Sequence, residues 1–293
     1  MSLVQKYSCK IRFAMSRLPY FPIKYWLTDE DIKPVPVLWS KIMPFFNSEK
    51  GFFNFELWGW DVRELRFLNR FISPGMVFLD IGAYHGIYSI IAGRKVSTTG
   101  KVYTFEPTPS HYRRINHHLW LNKIENVVVE QLALSDSDGT TEFHIPVNGV
   151  MTVGSLKPSL FSRGKLKAIT VETTRLDTYI EKQKIEKIDI IKVDVEGAEM
   201  LFFEGAKATF KHFQPLLILE AIDVACEPWG YKASALLSKV QQDYDYVLYE
   251  FDEQGYLSPH NICETYPSVS NANFLAVPRI KVDCIKPFLT AHR

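Results

Sequence analysis

Within the run Ile188-Asp-Ile-Ile-Lys192-Val-Asp194-Val-Glu196-Gly197-Ala-Glu199, three ionisable side chains, Lys192, Asp194 and Glu196, alternate with apolar residues. A strand buried on both faces of a parallel sheet is normally apolar throughout, so Lys192, Asp194 and Glu196 are out of place as core. Period two puts them on one face. At the carboxyl end of a strand, where open α/β sheets form their ligand sites, such a row reads as catalytic. The competing reading is a buried ion-pair network, with Glu199 meeting free N–H groups at the next helix start.

A second constellation lies upstream, where the apolar run Val77-Phe-Leu-Asp80-Ile ends in the turn Gly82-Ala83-Tyr84-His85-Gly86 and an amphipathic stretch, His85 to Val96, follows. Glycines there let the backbone turn tightly and approach a ligand. Glu106 ends the next apolar run, where a carboxylate can meet a ribose diol. A dinucleotide fingerprint has glycine where Asp80 stands, and a carboxylate repels pyrophosphate. It suits a cofactor carrying an amino group and a sulfonium. S-adenosylmethionine fits this pattern better than NAD. Ser135 and Asp136 follow the third apolar run, where Asp136 either meets an adenine edge or simply makes a turn.

Methyl transfer from a sulfonium to a hydroxyl needs alignment of donor and acceptor and a base for the acceptor proton. Asp194 is the first candidate base, with Lys192 holding it ionised or orienting the acceptor oxygen. Glu196 and His85 are the reserve bases, His85 also reading as a water-exposed helix-start residue. Glu220, closing the run Leu217-Ile-Leu-Glu220, either faces the acceptor or pairs with a base. His117 and His118 lack a carboxylate at ligand spacing, and no metal ligands are expected. Trp58, Trp60, Tyr84 and Trp229 offer apolar faces to a sugar ring, although aromatic residues are more often core.

From about residue 75, short apolar runs alternate with helix-period stretches, the signature of a doubly wound parallel sheet. Strands are expected at 77–82, 101–106, 127–134, 189–195 and 215–221, with helices at 85–96, 109–122, 176–183, 199–212 and 232–242. A closing antiparallel pair is expected from Tyr246–Phe251 and Asn273–Val277, and a hairpin insertion from Thr140–Pro146 and Ala168–Thr174. Residues 1–70 are expected to form an N-terminal helical arm and 71–285 the catalytic domain. The interleaved basic and aromatic residues of 3–27 are compatible with peripheral membrane or partner contact, a packed arm being preferred. The 293 residues carry 34 basic and 33 acidic groups, a balance that gives no footprint for nucleic acid. Four cysteines without Cys-x-x-Cys spacing, together with the lack of an apolar spanning window or secretory core, fit reduced thiols in a cytoplasmic setting.

In this order, Phe78-Leu-Asp80-Ile-Gly82-Ala83-Tyr84-His85-Gly86, Phe105-Glu106-Pro107, Ala133-Leu-Ser135-Asp136, Thr174-Arg-Leu176-Asp177, the Lys192-x-Asp194-x-Glu196-Gly-x-Glu199 run, Gly205-Ala206, Leu219-Glu220 and Asn273-Phe-Leu-Ala-Val277 resemble the FkbM family of S-adenosylmethionine-dependent methyltransferases. The resemblance spans about residues 60 to 280. It implies an α/β, class I methyltransferase fold: a Rossmann-like seven-stranded sheet with an antiparallel last strand. It also implies O-methylation of a sugar, glycan or small-metabolite hydroxyl. Where the family loop reads Gly-Ala-Asn, Tyr84 stands in place of Asn. The alternative reading is a degenerate, non-catalytic module that holds cofactor or a partner without turnover.

Overall fold

The computed structural model describes residues 35–37, 40–42, 61–146, 154–158, 166–267 and 272–290. Segment 3–27, Trp58 and Trp60 lie outside them. Strands β1 (Val35–Val37) and β2 (Ser40–Ile42) pair antiparallel. The chain then runs through α1 (Val62–Phe71), β3 (Val77–Ile81), α2 (Ile87–Val96), β4 (Lys101–Phe105), α3 (Pro109–Asn122) and β5 (Val127–Glu130). Next come β6 (Ala133–Leu134), β7 (Gly139–Pro146), β8 (Leu166–Thr174), α4 (Leu176–Gln183), β9 (Ile190–Val193), α5 (Glu199–Glu204) and α6 (Lys207–Phe213). The last elements are β10 (Leu216–Glu220), α7 (Asp223–Cys226), α8 (Ala233–Asp243), β11 (Tyr246–Phe251), β12 (Leu257–Pro259) and β13 (Asn273–Pro278).

One sheet of eight strands, ordered β12-β11-β13-β10-β9-β3-β4-β5, organises the molecule. The five strands from β5 to β10 are mutually parallel, and β13 enters antiparallel between β10 and β11. The expected antiparallel close is therefore present, and the sheet gains one strand over the seven expected. The extra strand is β12, formed by sequence that reads as loop; it makes a short edge pair with β11. Apolar residues cover both faces of the sheet. Phe202, Phe203, Phe210, Leu236 and Leu237 pack from α5, α6 and α8 on one side. Leu65, Phe67, Leu68, Ile90, Ile91 and Ile115 pack from α1, α2 and α3 on the other. No helix among the described residues is long and apolar enough to cross a membrane.

Two expected elements are broken where the chain leaves the sheet. The run 127–134 divides, β5 staying in the main sheet while β6 joins β8 and β7 in a second sheet of three strands. The β7–β8 pairing, from Gly139 opposite Thr173 to Pro146 opposite Leu166, is the expected hairpin. The expected helix 199–212 divides into α5 and α6 at Gly205 and Ala206. Asp177 caps the second piece, accepting from Ala208 N at 2.9 Å and from Thr209 N at 2.8 Å. Gly205 is needed at the break, because a Cβ there would lie 2.0 Å from the Ser135 carbonyl oxygen. Backbone against backbone cannot relax cheaply. Gly205→Ala is expected to destabilise the protein by about 2–3 kcal/mol, the scale of an overpacked core site. Urea unfolding followed by circular dichroism measures it.

Candidate active site

The parallel register sets Asp80 of β3 directly beside Lys192 of β9. The Lys192 side chain is only 4% exposed. Its ammonium donates to Gly82 O and to Asp194 Oδ2, both at 3.1 Å, and lies 5.0 Å from the centre of the Tyr88 ring. Burial works against this charge, but Asp194, Asp80 and Asp61 together overcome it and raise the Lys192 pKa above the usual lysine value. Lys192 is a cation throughout the neutral range. It joins the turn after β3 to the acid after β9.

Period two from Lys192 brings Asp194 to the site, but it does not carry Glu196 there. The strand ends at Val193, and Glu196 sits in the left-handed region at φ 56°, so a turn rather than a pleat delivers its carboxyl group. Carboxylate oxygens of Asp194, Glu196 and Glu220 nevertheless lie within 4.8 Å of one another. Three oxygens of this kind form a donor set suited to a hard cation. With protein groups alone, burial first and then the neighbouring acids Asp194 and Glu199 push the Glu196 pKa up to about 8. Burial, followed by the charges of Asp194 and Glu196, pushes Glu220 well above the carboxylate range. Glu199 is different in kind. It accepts from Val195 N at 3.1 Å, Gly197 N at 3.3 Å and Tyr231 Oη at 3.2 Å, so its carboxylate fixes the turn.

The turn after β3 is equally constrained. Gly82 has φ 74°, and a Cβ on it would lie 1.8 Å from Asp194 O. Asp80 is fully buried, and its Oδ2 accepts from Ser89 N at 3.0 Å and from Ser89 Oγ. Those are donors of the first turn of α2, the ones a pyrophosphate would otherwise take. Asp80 therefore occupies donors of the helix start and lies beneath the turn. Gly86, in the left-handed conformation, opens α2. Ala83 N donates to Phe105 O at 3.2 Å. Glu106 accepts from Tyr84 N at 2.9 Å and Thr108 N at 2.8 Å, which leaves lone pairs on both oxygens for a diol.

His85 is placed away from the acid row. It is 2% exposed, so the water-exposed reading fails too. Its ring centre is 3.6 Å from that of Tyr84 and 5.6 Å from that of His111. Burial, then the neighbours His111, Arg114 and His118, lower its pKa well below the usual value. Ser135 and Asp136 line a 300 Å³ pocket with Thr140, Lys157 and Trp229. Ser135 Oγ donates to Asp136 Oδ1 at 3.2 Å, and the Lys157 ammonium sits 4.5 Å over the Trp229 ring centre.

The sequence reading missed Asp61, Glu64 and the role of Asn273. Asn273 Nδ2 donates to Asp61 Oδ1 at 3.3 Å, and Asn273 pairs opposite Glu220 across β13 and β10. Asp61-x-x-Glu64 has the spacing of a helix capping box, so nothing in its sequence points toward a strand end some two hundred residues away.

The family model described as "Methyltransferase FkbM domain" matches residues 80–257, more than half of the chain. This chain belongs to the FkbM methyltransferase family. It is 31% identical over 179 residues to methyltransferase sdnD of Sordaria araneosa, an alignment covering 52% of this chain and 67% of that protein. It is 25% identical over 208 residues to the hexuronic acid methyltransferase AglP of Haloferax volcanii, covering 64% of this chain and 79% of AglP. It is 28% identical over 149 residues to the 2-O-methyltransferase NoeI of Sinorhizobium fredii, covering 47% of this chain and 60% of NoeI. As in its family, the cofactor is S-adenosylmethionine. The excess of carboxyl groups over ammonium around Lys192 suits a cationic cofactor, and Asp80 has filled the anion site.

An acid with a raised pKa in the folded protein costs stability once the unfolded chain can ionise. For Glu196 the penalty begins as pH rises through 4.5, the ordinary value, and is complete above about 8. Glu196→Gln is therefore expected to be more stable than the native protein at pH 8.5, with the advantage vanishing at pH 4. Urea denaturation at the two pH values checks this, and an equal advantage at both would contradict it.

Proposed function

We propose that this methyltransferase moves the methyl group to a hydroxyl oxygen, and that the acceptor is a sugar, a glycan or a hydroxylated small metabolite. The observation that carries the reading is the set of Asp194, Glu196 and Glu220 oxygens gathered beside one buried ammonium. Asp194 beside the ammonium accepts hydrogen bonds, whereas the protonated Glu196 and Glu220 can also donate them, so the set favours an occupant that both donates and accepts, as a hydroxyl group does. Two relatives support the same class by name, one a hexuronic acid methyltransferase and one a 2-O-methyltransferase.

S-adenosylmethionine supplies an electrophilic methyl group when bound. The turn Gly82-Ala83-Tyr84-His85-Gly86 and Glu106 hold it in this reading, with Asp80 acting beneath them and Ser135 and Asp136 bordering the adenine side. Asp194 accepts the acceptor's hydroxyl proton as it leaves, and Lys192 fixes the direction of that carboxylate. Glu196, still protonated near neutral pH, lends a proton or a hydrogen bond to the same oxygen cluster. In-line displacement gains most of its rate from alignment, which the shared Gly82–Lys192–Asp194 frame provides. Residues 71–285 form the catalytic domain in this reading, with an N-terminal extension before it.

Asp194→Asn is expected to lower transfer at least about 100-fold, the scale of a lost general base. Cofactor affinity should stay within a few-fold, because Lys192 already balances the Asp194 charge. The assay is transfer of labelled methyl from S-adenosylmethionine into a class-fractionated cell extract, with calorimetric cofactor binding alongside. Label in a carbohydrate or small-metabolite fraction with native protein alone supports the reading. Undiminished transfer by the variant removes Asp194 from the chemistry. Bound cofactor without label in any fraction favours a non-catalytic binding module.

A further inference from the structure

Helix α1 begins one residue after Asp61, and Asp61 is a residue type that normally caps such a start by accepting from the N–H groups of the first turn. Here it makes no side-chain cap. Its carboxylate turns instead to the amide of Asn273 at 3.3 Å. The helix behind it cannot swing freely. Arg66 donates to Glu253 O, and Arg70 donates to Gln254 O at 2.8 Å and Gly255 O at 2.7 Å. Phe67 packs on Phe71 and Phe251, with ring centres 5.1 and 5.6 Å away. The position of Asp61 is therefore set by packing, and its carboxylate forgoes the cap.

The charges around it show what it faces instead. Lys192 is one ammonium acted on by three carboxyl groups, Asp194, Asp80 and Asp61. Asp194 has the ammonium itself at 3.1 Å, and Asp80 has the Ser89 hydroxyl and N–H. Asp61 has neutral donors beside it, the Asn273 amide at 3.3 Å and the Tyr88 hydroxyl, and shares the Lys192 charge with the other two acids. It is half-buried, and burial, opposed in part by the Lys192 charge, raises its pKa to about 6, so it is chiefly ionised at neutral pH. A partly buried carboxylate without a cation of its own is costly, and the arrival of a positive charge relieves the cost. Asp61 also precedes the segment shared with the family, residues 80–257.

We propose that Asp61 is a cofactor-discriminating residue, whose carboxylate makes the site hold the cationic S-adenosylmethionine in preference to S-adenosylhomocysteine, the neutral thioether left after transfer. The preference favours release of spent cofactor and its replacement by the charged form. The inference depends on the cofactor and is independent of the acceptor.

The test is calorimetric titration of the full chain with S-adenosylmethionine and, separately, with S-adenosylhomocysteine, in native protein, Asp61→Asn and Asp61→Ser. The serine variant keeps a residue able to start the helix, so it decides the matter should the asparagine variant fail to fold. Loss of one nearby charge is expected to weaken S-adenosylmethionine about 10-fold while S-adenosylhomocysteine changes less than about twofold. Parallel weakening of both ligands would reduce Asp61 to a structural role, and no change in either would remove it from the site. Because turnover is not measured, failure of the O-methylation reading leaves this result intact.

Discussion

A single buried cation decides the architecture of the site. Lys192 stands in the middle of the sheet, in a strand whose neighbours Ile190, Ile191 and Val193 are apolar and almost wholly buried. Placing an ammonium there costs several kcal/mol unless it is paired and hydrogen-bonded. Asp80 lies alongside it in β3, and Asp194 follows the end of the strand. Because the same ammonium also holds Gly82 O, the turn after β3 and the acid are fixed to each other. The approach of Asp194 O to Gly82 leaves no room for a side chain between them. The two halves of the candidate site are thus joined through one ammonium.

Around that cation, identical functional groups acquire different tasks through their partners. Glu199 accepts from two backbone N–H groups and a phenol and behaves as a brace, although burial raises its pKa to about 7. Asp194 takes the ammonium. Glu196 and Glu220 share neither arrangement, and burial with mutual repulsion leaves them reluctant to ionise. Separating the proton affinities of neighbouring carboxyl groups is how one site holds both a proton acceptor and a proton donor at a single pH.

The legible parts of the sequence were those where a local rule was broken. Charges inside an apolar strand marked Lys192 and Asp194, and an acid before a glycine turn marked Asp80 and Gly82. Alternating apolar and helical periods gave the doubly wound sheet and its antiparallel close. What escaped depends on contacts distant in sequence or on single backbone angles. The left-handed turn at Glu196 cancels the period-two argument at its third member. The Ser135 carbonyl, pressed against Gly205, breaks a helix whose own sequence would continue. His85 carries no local sign that α3 will bury it against His111. Asp61 reads as a cap, and only the packing of α1 on the β11–β12 turn directs it to the site.

Tyr84 shows how a departure from the family loop is absorbed. Its backbone lies in the left-handed region at φ 51°, where asparagine is tolerated and a large side chain is strained by roughly 1 kcal/mol or more. Asparagine in the family pattern thus answers a backbone need as well as offering a polar side chain. Here three contacts offset the strain. The Tyr84 N–H donates to Glu106 at 2.9 Å, the ring lies 3.6 Å from that of His85, and the edge of His111 meets it at 4.7 Å. Burying His85 beneath the phenol keeps that imidazole neutral, so no positive charge from it opposes a cationic cofactor. The conformation of Tyr84 and the burial of His85 are therefore linked: the tilted ring pair they form packs the imidazole under the phenol.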